Sequence, residues 1–271
     1  MNRSDQASRF RALHAAGRML VLPNAWDAGS ARLIESCGAE AIATTSSGVA
    51  WALGHPDGDA VPPRVLAEAV ARITRVIGVP LTVDAEGGYS DDPNAVGETV
   101  RALADAGAVG VNLEDGGGSP ELLCAKIAAV KRAAAHAGVD VFVNTRTDVV
   151  LRGLVPPERY VEETLARGGR YRDAGCDGLF VPKLSDAPTI RAIVDGTELP
   201  VNVMLVPNLP SLAELTRLGV RRVSAGAAIA QAVHGLTRRL ATQLLADGGY
   251  GGMFEGAAAY PELNALFTAD R

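Results

Sequence analysis

The chain repeats one phrase: an amphipathic segment, a glycine, then a short apolar run rich in β-branched residues. The phrase occurs as Leu33–Thr44 (LIESCGAEAIAT), Ala102–Glu114 (ALADAGAVGVNLE), Tyr171–Pro182 (YRDAGCDGLFVP) and Leu215–Gly226 (LTRLGVRRVSAG), with a fifth copy at His136–Val143 (HAGVDVFV). Its glycines, Gly38, Gly107, Gly138, Gly175 and Gly219, fall where a helix must end in a left-handed residue before a strand begins. Helix and strand in alternation, joined by short links, build a parallel sheet.

Eight short apolar runs can be counted: near Met19–Leu22, Ala41–Thr44, Leu81–Asp84, Val109–Glu114, Val141–Arg146, Gly178–Pro182, Val201–Leu205 and Val220–Ala225. Eight strands alternating with helices predict an α/β fold of the closed (β/α)₈, or TIM barrel, type. An open doubly wound sheet would carry a Gly-rich phosphate loop after its first strand, whereas that turn reads Leu22-Pro-Asn-Ala-Trp-Asp. The chain has 271 residues, an ordinary length for one barrel, and 48% of them are hydrophobic but only 4% aromatic. Its core must therefore be built from Ala, Val, Leu and Ile, as buried parallel strands prefer.

No break in composition marks a second domain. Residues 1–247 are expected to form the barrel and 248–271 a hinge and arm, because Gly248–Gly252 is Gly-rich and Pro261–Phe267 reads as a short helix. That arm either folds back on its own barrel or packs on a neighbour in a homo-oligomer, a dimer or tetramer. A net charge of −5 without a long basic run argues against nucleic acid or an anionic membrane as the main partner. Cys37, Cys124 and Cys176 are scattered and odd in number, which fits a reducing compartment. With no apolar leader and no run of membrane-spanning length, the expected location is cytoplasmic.

In a barrel, the C-terminal ends of the strands face the active site. Read in order, those ends carry Ser46-Ser47-Gly48, Asp84-Ala-Glu86, Glu114-Asp115, Arg146-Thr-Asp148 and Lys183, with Asn202 slightly earlier on its strand. Asp84 and Glu86 are two apart, so in an extended chain both point the same way, and Glu114 stands one βα unit further on. Clustered carboxylates repel unless a cation sits among them, and oxygen ligands without nearby His or Cys suit Mg²⁺, with Mn²⁺ the alternative. The other reading is that these acids cap helices and pair with Arg146. That guanidinium ends a buried strand, where its planar fork suits a carboxylate or enolate oxygen. Small residues at Ser46–Val49 let backbone N–H groups approach a ligand carboxylate. Asp57 and Asp59, in the loop Leu53-Gly-His-Pro-Asp-Gly-Asp-Ala, are ordinary turn formers on their own evidence, and His55 a loop residue. Cys124 reads as a packed thiol on an amphipathic helix.

Taken together, Thr45-Ser-Ser-Gly, the loop ending in Asp59, the Asp84-Ala-Glu86-Gly-Gly-Tyr turn, Val111-Asn-Leu-Glu114-Asp115 and Arg146-Thr-Asp148 resemble the isocitrate lyase/phosphoenolpyruvate mutase superfamily, over about residues 10–245. The resemblance implies a barrel with a swapped C-terminal helix, Mg²⁺, a 2-oxo acid or dicarboxylate ligand, and cleavage of a C–C or P–C bond next to a pyruvyl unit. It implies metal coordination by Asp84, Glu86 and Glu114, carboxylate binding by Ser47, Gly48 and Val49, a polar catalytic role for Asp59, and an oxyanion role for Arg146. Ser46 and Asn202 complete the expected substrate contacts, and Ser47 is grouped with the catalytic residues.

Two departures narrow the activity. The family's lyases carry a Lys-Lys-Cys-Gly-His loop, whereas the segment after Glu114 reads Asp-Gly-Gly-Gly-Ser-Pro-Glu-Leu-Leu. The phosphonate-handling branch has a His after the sixth strand, where this chain has Pro182. The expectation is a Mg²⁺-dependent lyase acting by decarboxylation or by retro-aldol or retro-Claisen cleavage on a small 2-oxo or hydroxy diacid. P–C bond chemistry and a non-catalytic dicarboxylate-binding barrel are the alternatives.

Overall fold

The computed structural model describes residues 2–268; Met1 and residues 269–271, at the outer ends of the expected domain and arm, lie outside the described residues. All strands are parallel: β1 Leu20–Leu22, β2 Asn24–Ala25, β3 Ile42–Thr44, β4 Leu81–Asp84, β5 Gly110–Glu114, β6 Phe142–Arg146, β7 Gly178–Phe180, β8 Val201–Met204 and β9 Arg222–Ser224. They are hydrogen-bonded in the order β1-β9-β8-β7-β6-β5-β4-β3-β2. β1 and β2 are two pieces of one stretch, so this order closes a (β/α)₈ barrel. The expected first strand, near Met19–Leu22, is β1; the short β2 beyond it was not expected and is set off by Pro23, which has no N–H to give a neighbour. Leu20–Leu22 pair with β9 before the break, and Asn24–Ala25 pair with β3 after it.

The five punctuating glycines all take left-handed φ, between 66° and 106°. Helices start on caps that the sequence supplies, for example Asp92 ahead of Pro93–Asp105, Ser119 ahead of Pro120–His136 and Asp186 ahead of Ala187–Gly196. Most of the core lies between strands and helices, and it is built of Ala, Val, Leu and Ile with few aromatics. A second cluster fills the lower barrel, where Phe10 of helix Arg3–Ala15 packs with Leu20, Leu22, Ala41, Ala43, Val109 and Phe142. This helix is a plug: a Cβ at position 110 would lie 2.8 Å from the Phe10 ring, so Gly110 is what makes room for it.

His14 belongs to the same plug, stacked on Phe142 with ring centroids 4.1 Å apart and edge-on to Phe10 at 4.7 Å. Its Nδ1 bonds the Phe10 carbonyl at 2.9 Å. Burial, with the Arg222 cation adding to it, pushes the imidazole down from 6.5 to about 4.

The outer face at the closing seam is less well covered. Val21 on β1 is 45% exposed. An apolar groove of about 490 Å³ runs between Val21–Pro23, Leu205, Leu212, Val223–Ala225 and the start of helix Ala228–Asp247. Among the described residues of that long helix, only Ala230 is fully buried, while Leu236, Leu244 and Leu245 are exposed. The terminal helix Tyr260–Thr268 instead folds back on its own chain, where Arg32 Nε donates to the Leu266 carbonyl at 2.7 Å. The helix before it is the one left bare. No helix of the described residues is long and apolar enough to cross a membrane.

Two outcomes are expected. Between pH 6.5 and about 4 the unfolded chain binds a proton at His14 that the folded chain refuses. The stability tied to a neutral His14 is therefore complete above pH 6.5 and lost as pH falls toward 4, a few kcal/mol at most. Urea unfolding across this window should show the loss, and His14→Phe should flatten it; an unchanged slope in that variant refutes the assignment. Light scattering should report an even oligomer that weakens on truncation after Ala246, whereas a clean monomer at micromolar concentration would leave the bare helix unexplained.

Candidate active site

The strand ends expected to carry the chemistry do converge. A cavity of about 550 Å³ opens at the C-terminal mouth of the barrel, lined by Ser46, Ser47, Asp57, Asp84, Asn112 and Arg146 among others. A slightly larger one, about 600 Å³, lies at the opposite end among Arg11, His14, Arg191 and Arg221. The catalytic ends of barrel strands point away from that lower cavity, and the chemistry is assigned to the mouth.

Arg146 is fixed from two sides. Its Nε and Nη2 donate to Asp148 at 2.6 and 3.1 Å, and its Nη1 lies 2.5 Å from Glu114 Oε2 across the β5–β6 ladder, where the two residues are register partners. Asp148, with no side-chain exposure, is held in turn by Arg152 Nε at 2.9 Å. Asp115 is an anchor rather than a ligand. Its carboxylate accepts from the Asp148 N–H, Thr147 Oγ1, Arg167 Nη1 and Tyr171 Oη, all at 2.8–2.9 Å. A guanidinium so clamped keeps one orientation, as oxyanion stabilisation requires.

The three acids expected to ligate metal are not equivalent. Asp84 ends β4 and lines the cavity; Glu86 and Glu114 do not line it. The Asp84 backbone N–H is held by Thr44 Oγ1 and its Oδ2 accepts from the Ser46 N–H at 3.3 Å, yet its Oδ1 is buried without any partner. Burial pushes the Glu114 carboxyl up to about 8; Arg146 opposes this, and Asp84, Asp148 and Glu86 add to it. Glu86 departs from the expected geometry, because its φ of 49° turns the chain straight after the strand. Its Oε2 accepts from the Gly58 and Asp59 N–H groups at 2.9 and 2.6 Å, and its Oε1 from Tyr89 Oη at 3.0 Å.

Glu86 thus clasps the loop that carries Asp57, and Asp59 returns the clasp by accepting from the Gly87 and Tyr89 N–H groups at 3.2 Å each. Asp59, Glu86 and Tyr89 all have positive φ without being glycine, so backbone strain is concentrated at this junction. Lys126, buried and donating to the Gly87 carbonyl at 2.8 Å, secures the turn from beneath; nothing in the sequence reading singled it out. Asp59 is therefore occupied in the clasp, and Asp57 is the loop acid on the cavity wall.

The carboxylate-binding turn is also narrower than expected. Ser46 and Ser47 open the short helix Ser46–Ala52 at the cavity. A Cβ at Gly48 would lie 2.7 Å from Thr45 Cγ2 and 2.9 Å from Trp26 Cβ, so only glycine lets the turn close. The Val49 N–H is already bonded to the Thr45 carbonyl at 3.0 Å, and Val49 does not line the cavity. Asn202 is fully buried below the cavity floor and does not line it either. Asn112, Asn24 and Gln231 are polar wall residues that the reading of strand ends did not pick out. Leu151, Phe180, Pro182 and Met204–Pro207 form an apolar wall.

The residues fit a divalent cation. Among the described residues no three His, Cys, Asp or Glu side chains form a ready-made metal cage. Mg²⁺, however, is commonly held by only one or two carboxylates and otherwise by water and substrate. The orphaned Asp84 Oδ1, with the Glu114 carboxylate crowded beside it, is the feature such an ion would relieve.

A family model described as phosphoenolpyruvate phosphomutase matches residues 10–245, and the chain belongs to that family, within the isocitrate lyase/phosphoenolpyruvate mutase superfamily of Mg²⁺-dependent C–C and P–C lyases and mutases. An oxaloacetate decarboxylase of Paraburkholderia xenovorans is 33% identical over 83% of this chain and 76% of its own. A crystal structure of a candidate phosphonomutase from Burkholderia cenocepacia matches at 43% identity and TM-score 0.83, covering 88% of this chain and 99% of that one. A phosphonopyruvate hydrolase solved with oxalate and Mg²⁺ shares the fold, with TM-score 0.84 at 23% identity over 98% of this chain and 95% of that one.

With Mg²⁺ present, Asp84→Ala should abolish binding of oxalate, a planar mimic of a pyruvate enolate, while the thermal midpoint barely moves. Calorimetry giving equal oxalate affinities for the variant and the unaltered protein would remove Asp84 from the metal site.

Proposed function

We propose that this chain is a Mg²⁺-dependent lyase that breaks the bond at C3 of a small 2-oxo or hydroxy diacid by way of a pyruvate-enolate-like intermediate. The observation that carries this reading is the division of the cavity into two poles. One holds Asp84, the Ser46–Ser47 turn and Arg146; the other is the apolar wall from Leu151 to Pro207, which brings no cation. Among the described residues, Arg146 is the single cationic side chain on the lining, and it already faces Glu114 and Asp148. A phosphoryl group in transfer needs positive charge around its oxygens. The wall offers Pro182 there instead, so the C–C reading is preferred to the P–C one. The oxaloacetate decarboxylase relative points the same way.

In this mechanism the backbone N–H groups of Ser47 and Gly48 hold the C1 carboxylate, and Arg146 donates to the C2 oxygen. Asp84, with Glu114 beside it, would hold the Mg²⁺, which supplies positive charge against the oxygen anion that develops at C2. In the decarboxylation variant the C3–C4 pair moves into a C2–C3 double bond, the C2 oxygen takes the negative charge, and C4 departs as CO₂. An apolar wall beside C4 favours this step, because a carboxylate is poorly solvated there and neutral CO₂ is not. Asp57 or a water it orients then delivers a proton to C3, giving the 2-oxo monoacid. The Glu86–Asp59 clasp holds the Asp57 loop over the cavity.

Cys124 takes no part in this scheme. It sits on helix Pro120–His136 with its Sγ donating to the Arg170 carbonyl at 3.5 Å, outside the cavity. A panel of 2-oxo and hydroxy diacids, assayed with Mg²⁺ by coupled detection of pyruvate or its homologues, is expected to show turnover. Asp57→Asn should lower kcat at least a hundredfold, with oxalate binding retained, and Cys124→Ser should change it less than twofold. Oxalate binding without turnover of any diacid would favour the non-catalytic barrel, and faster release from a phosphonate would favour the P–C reading.

A further inference from the structure

Below the cavity, the barrel interior holds a column of polar side chains: Asn112, Asn144, Asn202, Ser224 and Arg222. Arg222 is about 1% exposed, and its Nη2 donates to Asn112 Oδ1 at 3.1 Å. Its Nε and Nη1 are buried with no partner. A guanidinium carries only donors, so the Asn112 atom facing it must be the oxygen. That fixes every amide in the column. Asn144 Nδ2 donates to the same Asn112 Oδ1 at 2.9 Å and to Asn202 Oδ1 at 3.0 Å. Asn202 Nδ2 then donates to the Val203 carbonyl at 2.6 Å and to Ser224 Oγ at 3.3 Å. Two donors thus hold the Asn112 oxygen from within the barrel. Its Nδ2 is absent from every hydrogen bond of the described residues and from the buried, unpartnered atoms, although the residue lines the cavity. The NH₂ is the end left for a ligand.

We propose that Asn112 is a substrate-orienting residue whose NH₂ donates to an oxygen of the bound oxo acid, and that Arg222 is a positioning residue that locks this amide donor-side up. The proposal rests on the functional reading above and adds to it a constraint on the substrate. The atom over Asn112 must be able to accept, such as a carboxylate, carbonyl or enolate oxygen, and a ligand presenting a donor-only ammonium there gains nothing from the amide's fixed orientation. Arg222 also has a distinctive energetic signature. A buried arginine with two unsatisfied N–H groups and no carboxylate partner destabilises the fold, so an apolar replacement is expected to be tolerated or stabilising.

The test is calorimetric titration of oxalate in saturating Mg²⁺, with thermal unfolding measured in parallel. Arg222→Met should weaken oxalate at least tenfold while the melting temperature holds or rises. A residue with a merely structural role would give the opposite pair: a lowered melting temperature and unchanged affinity. Asn112→Asp is the second variant, because its carboxylate keeps both bonds from Arg222 and Asn144 but presents an acceptor to the cavity. It should fold normally and lose oxalate affinity at least tenfold, and Asn112→Ser should lose less, having no added negative charge. If Arg222→Met fails to fold, Asn112→Asp decides. Oxalate affinities within threefold of the unaltered protein in Asn112→Asp, or in a folded Arg222→Met, overturn the proposal and leave the lyase reading intact. Unaltered protein that binds no oxalate with Mg²⁺ overturns both.

Discussion

Closure of the sheet at the first strand is the constraint on which the site depends. A barrel puts all its strand ends at one mouth only if the last strand finds the first, and here the first strand is broken by Pro23. The seam is repaired by a side chain. Asn24 Nδ2 donates to the Thr44 carbonyl at 2.7 Å on one flank, and its Oδ1 accepts from the Gly226 N–H at 3.0 Å on the other. One carboxamide thereby supplies both a donor and an acceptor across a gap that backbone pairing leaves. Asn24 also lines the cavity, so the seam and the site share a residue. The plug at the other end works with it: Phe10 and Phe142 fill the lower barrel, leaving the upper interior to polar groups.

The barrel was legible because its signal is periodic and repeated. Gly38, Gly107, Gly138, Gly175 and Gly219 mark the same junction five times, and β-branched runs follow each. The clustering of Asp84 and Arg146 followed from the same count, since strand ends in a closed barrel share one mouth. What could not be read was direction within loops. Choosing between Asp57 and Asp59 depends on the left-handed turn at Gly58 and Asp59, which decides which acid faces inward. The expectation that Asp84 and Glu86 point alike assumed an extended chain, and a positive φ at Glu86, a residue type that seldom adopts it, carries no sequence signature. Asn112 could have been found: it precedes Glu114 by two on a strand, and alternation puts both on one face. Charge at a strand end is the stronger signal, and an uncharged amide one step inside carries less of it.

The anchoring residues explain why so few side chains are free at the mouth. Asp115, Asp148, Glu86 and Asp59 are all carboxylates near the cavity, yet each is engaged by backbone N–H groups or arginines. An acid that accepts from several fixed donors is a poor ligand and a good strut, because moving it breaks every bond at once. The cavity therefore presents few ionisable side chains, Asp57, Asp84 and Arg146, on a rigid frame of carboxylates. Preorganisation of this kind keeps a site from reorganising as charge develops in a reaction.

The interior also holds opposite charges that the fold does not pair. Asp84 Oδ1 lies buried without a partner at the top of the barrel, and Arg222 Nε and Nη1 lie buried without partners below it. Their attraction is felt across the interior, but they do not meet. Each orphaned polar group costs about 1–3 kcal/mol, and a direct ion pair would remove most of that. Asn112 stands between them, in register with Asp84 on the neighbouring strand and bonded to Arg222. An amide in that place keeps the acid available to the cavity while passing the arginine's orientation upward. The uncompensated acid above is a cost that a cation on the cavity side would relieve.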